Sequence, residues 1–253
     1  MPDEPPRTGT ELQTALTTRR QSALRTYQDL FIGRRTLAAT LKYEFIMRLS
    51  QGTSGAWGLF LRKVLFRRLF KRARGVVFGR NVTVRHGGKI EIGRGTVIDD
   101  DVVLDAKGGD ASHITIGENC YIGRGTILSL KGGSIEIGDR SNFGAYCQIQ
   151  AEGPVTVGRD VLFASYVYVV AGGNHGFMRL DLPIIRQASA SQTGIRIGDD
   201  CWLAARVVVL DGAHVGQGSV IGAGAVVTKP IPDYSIAMGM PAVVKANRKG
   251  PVE

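Results

Sequence analysis

The chain has 253 residues, 34 of them glycine, and a formal charge of +10 at pH 7. That length fits one large domain, or one with a small appendage, and so much glycine argues against a plain helical protein. No run of about 18 apolar residues exists to cross a bilayer, and the opening MPDEPPRTGTELQ lacks the apolar core of a signal peptide, so the cytoplasm is the default expectation.

The charge is local. Residues 1–80 hold 16 of the 32 Lys and Arg but only 5 of the 22 Asp and Glu, so the basic character belongs to an N-terminal segment. Residues 1–8 read as disordered. A helix is expected over residues 10–31, with Thr10 as N-cap and Gly33 as stop. A second is expected over residues 34–49, where Leu37, Leu41, Phe45 and Leu49 recur at four-residue spacing. Gly52, Gly55 and Gly58 then break the chain. A third helix is expected over residues 59–74. It sets Leu65, Phe66, Leu69, Phe70 and Ala73 on one face and Lys63, Arg67, Arg68, Lys71, Arg72 and Arg74 on the other. A basic amphipathic helix of this kind can lie on an anionic membrane surface, where each Lys or Arg contributes about 1 kcal/mol. The plainer reading packs the apolar face on the rest of the protein and leaves the basic face in water. Nucleic-acid binding is weaker, because no aromatic-basic platform or recognised motif accompanies the charge.

From residue 81 a repeat takes over. Near-copies of one tetrapeptide stand at 90–93 (IEIG), 114–117 (ITIG), 135–138 (IEIG), 155–158 (VTVG) and 195–198 (IRIG). Between them an apolar anchor falls every six residues, as in Ile92, Ile98 and Leu104, and without a break from Ile197 through Leu203, Val209, Val215 and Ile221 to Val227. One hexad cannot bury its own anchor, but stacked coils share a continuous core, so the pattern predicts a solenoid. Three hexads per coil make a triangular prism with short parallel strands on each face. The glycine after the anchor, at Gly93, Gly117, Gly138, Gly158, Gly198 and Gly222, is expected at corners that need positive φ. Cys120, Cys147 and Cys201 show no CxxC spacing, so no disulfide framework or zinc site is expected. Each lies four residues after an anchor, where other hexads carry small residues such as Thr96, Ser141 and Ala225. They read as core filler, with a nucleophile as the competing reading.

The copies begin 24, 21, 20 and 40 residues apart. Three hexads take 18, so the last interval carries 22 extra residues, which fall within a loop insertion over 170–194 that holds His175. His86 and His113 are expected to face solvent at corners, and His214 to be structural or to face a neighbouring copy.

The run DDCWLAA at 199–205, VLDGAHVG at 209–216, VIGAGAVVTK at 220–229 and MGMPA at 238–242 resembles the hexapeptide-repeat acyltransferases, in their branch of sugar and polysaccharide O-acetyltransferases such as the galactoside and maltose enzymes. The resemblance covers about residues 80–249. It implies a mainly β chain: a left-handed parallel β-helix over 81–230, preceded by an N-terminal α-helical segment over 1–80 and followed by a tail over 231–253. It also implies a homotrimer with active sites between subunits, acetyl-CoA as donor and no metal.

His175, in the sequence GNHGF, matches the family's loop histidine. A neutral imidazole, of ordinary pKa near ~6.5, can take the proton of a sugar hydroxyl as it attacks the thioester, a contribution of roughly 10²–10⁴-fold. Acceptor contacts fall on Asn174, Tyr166 and Trp202. Coenzyme contacts fall on Trp202, Ala205 and Ala223 beside the pantetheine arm, and on Thr228, Lys229, Lys245 and Arg248 near the phosphates. The chain departs from the family in Leu203-Ala204 for Ile-Gly, in Arg206 for a small or polar residue, and in Tyr166 where galactoside enzymes carry asparagine. The carboxylate that would orient the imidazole is unassigned, with Asp181 one candidate. The resemblance implies O-acetyl transfer to a sugar or glycan intermediate, in the cytoplasm or peripherally at the inner membrane face through residues 59–74. Alternatives are N-acetylation of an amino-sugar or antibiotic, a γ-carbonic-anhydrase-like site, which would need three convergent histidines, and a non-catalytic β-helix.

Overall fold

The computed structural model describes residues 22–189 and 192–250, so residues 1–8 and Thr10 lie outside the described part. Helix α1 (Ala23–Tyr27) starts under a cap from the Ser22 hydroxyl and runs on as a π-turn, Gln28–Ile32. Gly33 stops it in the left-handed conformation, φ 75°. Helix α2 (Leu37–Ser50) begins three residues later than expected, because the Thr36 hydroxyl caps it by accepting from the Ala39 amide. Its buried face is Thr40, Tyr43, Ile46 and Ser50. The expected apolar stripe, Leu37, Leu41, Phe45 and Leu49, points outward. Hydrogen bonds set this rotation: the Tyr43 hydroxyl donates to Val84 O at 3.0 Å, and Gln28 Nε2 donates to Thr40 Oγ1 at 2.9 Å.

The third helix also differs from expectation. Helix α3 spans Gly55–Leu65, a 3-10 turn follows at Phe66–Arg68, and Arg72–Ala73 is already a strand. Gly58 sits inside the helix because a Cβ there would come within 2.0 Å of Thr53 O. No single amphipathic helix therefore covers residues 59–74. Phe66, Phe70 and Ala73 are buried and plug the open end of the solenoid, as the packing alternative anticipated.

The solenoid has three parallel sheets. Its first face stacks seven strands, from Arg72–Ala73 through Ile135–Ile137 and Ile195–Ile197 to His214–Val215. The second face runs from Val77–Phe78 through Leu162–Phe163, Trp202–Leu203 and Val220–Ile221 to Ser235–Met238, with Val243–Asn247 added antiparallel. The third stacks seven strands, among them Gln148–Ala151, Tyr168–Ala171, Val208–Leu210 and Val226–Val227. The first corner joins the first face to the second, the second joins the second to the third, and the third corner leads into the next coil. Every anchor from Ile92 to Val227 is buried, and Phe143 and Phe163 stack with ring centroids 4.1 Å apart.

At the first and second corners the residue four after the anchor is inward and buried. Its small polar group ties one coil to the next. Thr96 Oγ1 donates to Gly117 O at 2.8 Å and accepts from Cys120 N at 3.0 Å, and Ser141 repeats this with Gly158 O and Val161 N. Cys147 and Cys201 donate from Sγ to Ala164 O and Gly216 O at 3.1 Å each. Burial pushes both thiols up to about 11, which suits filler and not a nucleophile.

The glycines after the anchors have a different cause from the one expected. Their φ is not positive; the left-handed residue comes two positions later, at Asn119, Arg140, Asp160 and Asp200 on the first corner and at Tyr146, Tyr166 and Arg206 on the second. Close approach of neighbouring coils demands these glycines, since a Cβ on Gly138 would lie 2.7 Å from the carbonyl of Gly158. His86 is a second correction. It is buried at 7% exposure, with Nε2 2.8 Å from Asp29 O, and burial lowers its pKa. His113 lies 3.2 Å from Glu136, and His214 is exposed on the first face.

Gly138→Ala should lower Tm by roughly 2–8 °C, because the coils must part to admit a methyl group. Gly109→Ala, where a Cβ meets nothing within 4 Å, should leave Tm unchanged. A thermal scan giving equal shifts for the two would contradict the close-approach account.

Candidate active site

The third corner carries the insertion. The chain leaves the third face after Tyr168–Ala171 and rejoins the first at Ile195–Ile197. Acidic residues of the adjoining coils hold its base. One coil onward, Asp211 accepts from Asn174 Nδ2 at 2.8 Å, from Thr193 N at 2.9 Å and from Gly194 N at 2.9 Å, so a single carboxylate clamps the outgoing and returning arms. One coil earlier, Glu152 accepts from Gly173 N at 3.3 Å and Gln192 Nε2 at 3.4 Å. Within the loop, buried Gln187 donates to Arg179 O and Leu182 O and accepts from Arg179 N.

His175 and Ser189 pair across the two arms in an antiparallel bridge, and Gly176 N donates to Ala188 O at 3.0 Å. The imidazole is exposed, with Nδ1 3.2 Å from Ser189 Oγ. A proton on Nδ1 donated to that hydroxyl leaves the Nε2 lone pair free. Asp181 does not reach the ring; it forms an ion pair with Arg179. Asp211, Glu152, Gln187 and Ser189 were not singled out from the sequence. Asp211 stood in a matching motif, but nothing in its spacing names Asn174 as its partner.

The other candidates fall into separate groups. Trp202 projects from the second face at 48% exposure, in register between Leu162 and Val220. Tyr166 is on the second corner with its ring stacked on Tyr146 at 5.4 Å, and the Arg206 guanidinium lies 5.9 Å from its centroid. Ala205 and Ala223 are exposed on the same corner one coil apart, joined by Gly224 N donating to Ala205 O. Thr228 and Lys229 follow Val226–Val227 at the third corner, the corner of the insertion. Lys245 is exposed on the antiparallel strand Val243–Asn247. Arg248 stands at the first corner, donating to Asp200 at 3.1 Å and to Gly218 O at 2.6 Å.

Within one chain, then, His175, Asn174, Thr228 and Lys229 share the third corner, while Trp202, Tyr166, Ala205 and Ala223 belong to the second face and second corner. The second face does not border the corner that carries the insertion. The insertion also exposes Phe177, Met178, Leu180, Ile184 and Ile185, large apolar side chains with no cover in a single chain. Among the described residues, no three of His, Cys, Asp and Glu are grouped to hold a metal ion.

Residues 194–229 match the family described as bacterial transferase hexapeptide (six repeats). Rv3034c of Mycobacterium tuberculosis (strain ATCC 25618 / H37Rv), named as an acetyltransferase, is 34% identical over 140 residues, 55% of this chain and 46% of that protein. The match thus spans about half the length of that relative. WbbJ of Escherichia coli (strain K12), whose name describes an O-acetyl transferase of lipopolysaccharide biosynthesis, is 33% identical over 138 residues, 52% of this chain and 70% of WbbJ. A solved structure of the polysialic acid O-acetyltransferase OatWY aligns with TM-score 0.55 at 19% identity, covering 72% of this chain and 85% of that one. The fold shared with it is the left-handed parallel β-helix.

Asp211→Ala removes the shared acceptor at the base of the insertion. Amide hydrogen exchange over residues 172–194 should rise at least roughly tenfold, with the flanking strands still protected. Unchanged exchange there would show that the clamp does not hold the loop.

Proposed function

Because the chain belongs to the hexapeptide-repeat acyltransferase family, we propose that it transfers an acetyl group from acetyl-CoA to a hydroxyl of a sugar or glycan intermediate, with His175 as general base. The observation that carries this reading is the imidazole on its clamped loop, backed by Ser189 at Nδ1 and free at Nε2 among the described residues. A sugar hydroxyl is a weak nucleophile at neutral pH. As its oxygen attacks the thioester carbonyl, Nε2 takes the hydroxyl proton. The C–O bond of the new ester forms, the C–S bond breaks, and the imidazolium returns the proton to the departing thiolate. Transfer is read as direct, and the buried cysteines offer no thiol to carry the acyl group.

Trp202, Tyr166 and Asn174 are read as acceptor contacts. Asn174 already donates to Asp211, so its part includes setting the loop. Ala205 and Ala223 leave the second corner low enough for a pantetheine arm to lie along it. Thr228 and Lys229, with Lys245 or Arg248, are read as phosphate partners. Arg248 would exchange its contact with Asp200 for a phosphate. The name of WbbJ supports a saccharide acceptor.

The site is read as lying between subunits of a homotrimer, with the third corner of one prism facing the second face of its neighbour. The separation of His175 from Trp202 within one chain supports this, and so do the uncovered apolar side chains of the insertion, which such a contact would bury.

His175→Ala should lower kcat by roughly 10²–10⁴-fold while coenzyme binding, followed by calorimetry, stays intact. Loss of binding in proportion to rate would remove the general-base role. Trimers assembled from His175→Ala and Trp202→Ala chains together should regain part of the activity that each variant lacks alone. No recovery in mixed trimers would place both residues in one subunit's site.

A further inference from the structure

The N-terminal helices and the first coil border two adjoining concavities of about 590 and 930 Å³, which share Arg68 and Lys71. Cations line both, and neither has an Asp or Glu in its wall. Lys71 and Arg72 share the single carboxylate of Glu91. The other six, Arg34, Lys42, Lys63, Arg67, Arg68 and Arg74, form no ion pair among the described residues. Apolar side chains accompany this charge. Phe60 walls the larger concavity, is 53% exposed, and stacks on Trp57, 64% exposed, with ring centroids 5.6 Å apart. On α2 the neighbouring outward positions Leu37, Leu41 and Phe45 are exposed as well. No helix of the described residues is long and apolar enough to cross a membrane.

We propose that this surface, contributed by residues 34–74, docks on an anionic lipid bilayer. The six free cations meet the headgroup phosphates, and Trp57 and Phe60 enter the interface between headgroups and acyl chains. It is not the face of one amphipathic helix; the aromatic pair stands on α3 with Lys63, while the other five free cations come from α2, the 3-10 turn and the segments before α2 and after the first strand. The charge distribution selects the occupant. A soluble polyphosphate or a nucleic acid would use the cations and leave Trp57, Phe60 and the aliphatic face of α2 in water. A second copy of the same surface would set like charge against like charge. A bilayer with anionic headgroups satisfies both parts, because Lys and Arg hold their charge at the phosphate level while aromatic rings settle at the interface. The inference is independent of the transfer reaction.

The test uses the full chain and flotation with vesicles of phosphatidylcholine alone, or of two parts phosphatidylcholine to one part phosphatidylglycerol. The wild type should float with the anionic vesicles and not with the neutral ones, and less so at high salt. The triple variant Arg67→Glu, Arg68→Glu, Arg74→Glu should bind anionic vesicles roughly tenfold more weakly or worse. Trp57→Ser with Phe60→Ser should weaken vesicle binding by a similar factor and leave binding to inorganic polyphosphate unchanged; both residues are exposed, so the fold should survive, as circular dichroism will verify. Equal flotation with both kinds of vesicle, absence of flotation, or an aromatic variant that floats like the wild type would each overturn the proposal. In the last case binding to polyphosphate or duplex DNA at wild-type strength would assign the groove to a soluble polyanion.

Discussion

Each coil of the solenoid buries its anchors only against the coils on either side, so the fold depends on stacking repeated at one close distance. Backbone amides donate across that distance, as Val97 N does to Cys120 O at 2.9 Å and Tyr121 N to Ser141 O at 3.1 Å. Small inward side chains, hydroxyl or thiol, bridge the same gap. A Cβ at Gly93 or Gly138 would strike the backbone of the next coil, which makes these glycines a condition of the spacing itself. Local pieces have little stability of their own, because a single hexad has no partner for its apolar residue.

That rigidity is what allows an insertion with 22 extra residues to hold a fixed geometry around His175. A long loop on its own is costly to order. Here its base is pinned from both sides by carboxylates whose positions the stacked coils fix, Asp211 above and Glu152 below. The imidazole then needs only the short bridge to Ser189 to set its orientation. The prism also distributes the other candidate residues. Its corners point outward in three directions, so groups on the third corner and on the second face meet only if another prism is placed alongside.

A solenoid has two open ends, and its N-terminal end is closed by Phe66, Phe70 and Ala73 against Phe78. Behind them Arg62 is buried and its guanidinium donates to the carbonyls of Phe78, Ser50 and Thr53. Burial disfavours its charge and lowers its pKa, while three backbone acceptors replace the lost water. Arg62 thereby ties α3 to the end of α2 and to the first coil. With the inner apolar residues committed to this plug, the larger outward ones on α2 and α3 stay at the surface beside the unpaired cations.

The sequence by itself determined the repeat, the anchors and the buried slot of the cysteines, because a period of six with one apolar position needs no knowledge of what it stacks on. It also determined where the insertion lies and that His175 sits within it, since a break in a strict period is visible in one dimension. Only the tertiary structure decided why Gly138 must be glycine, which way α2 turns and where α3 ends, and that Asp211 and Ser189 hold the loop. Gly138 meets a coil 20 residues later, Asp211 bonds Asn174 across 37 residues, and the rotation of α2 rests on a hydroxyl reaching Val84 across 41. Such contacts depend on which segments the fold brings together, and a periodicity read along the chain contains no term for that.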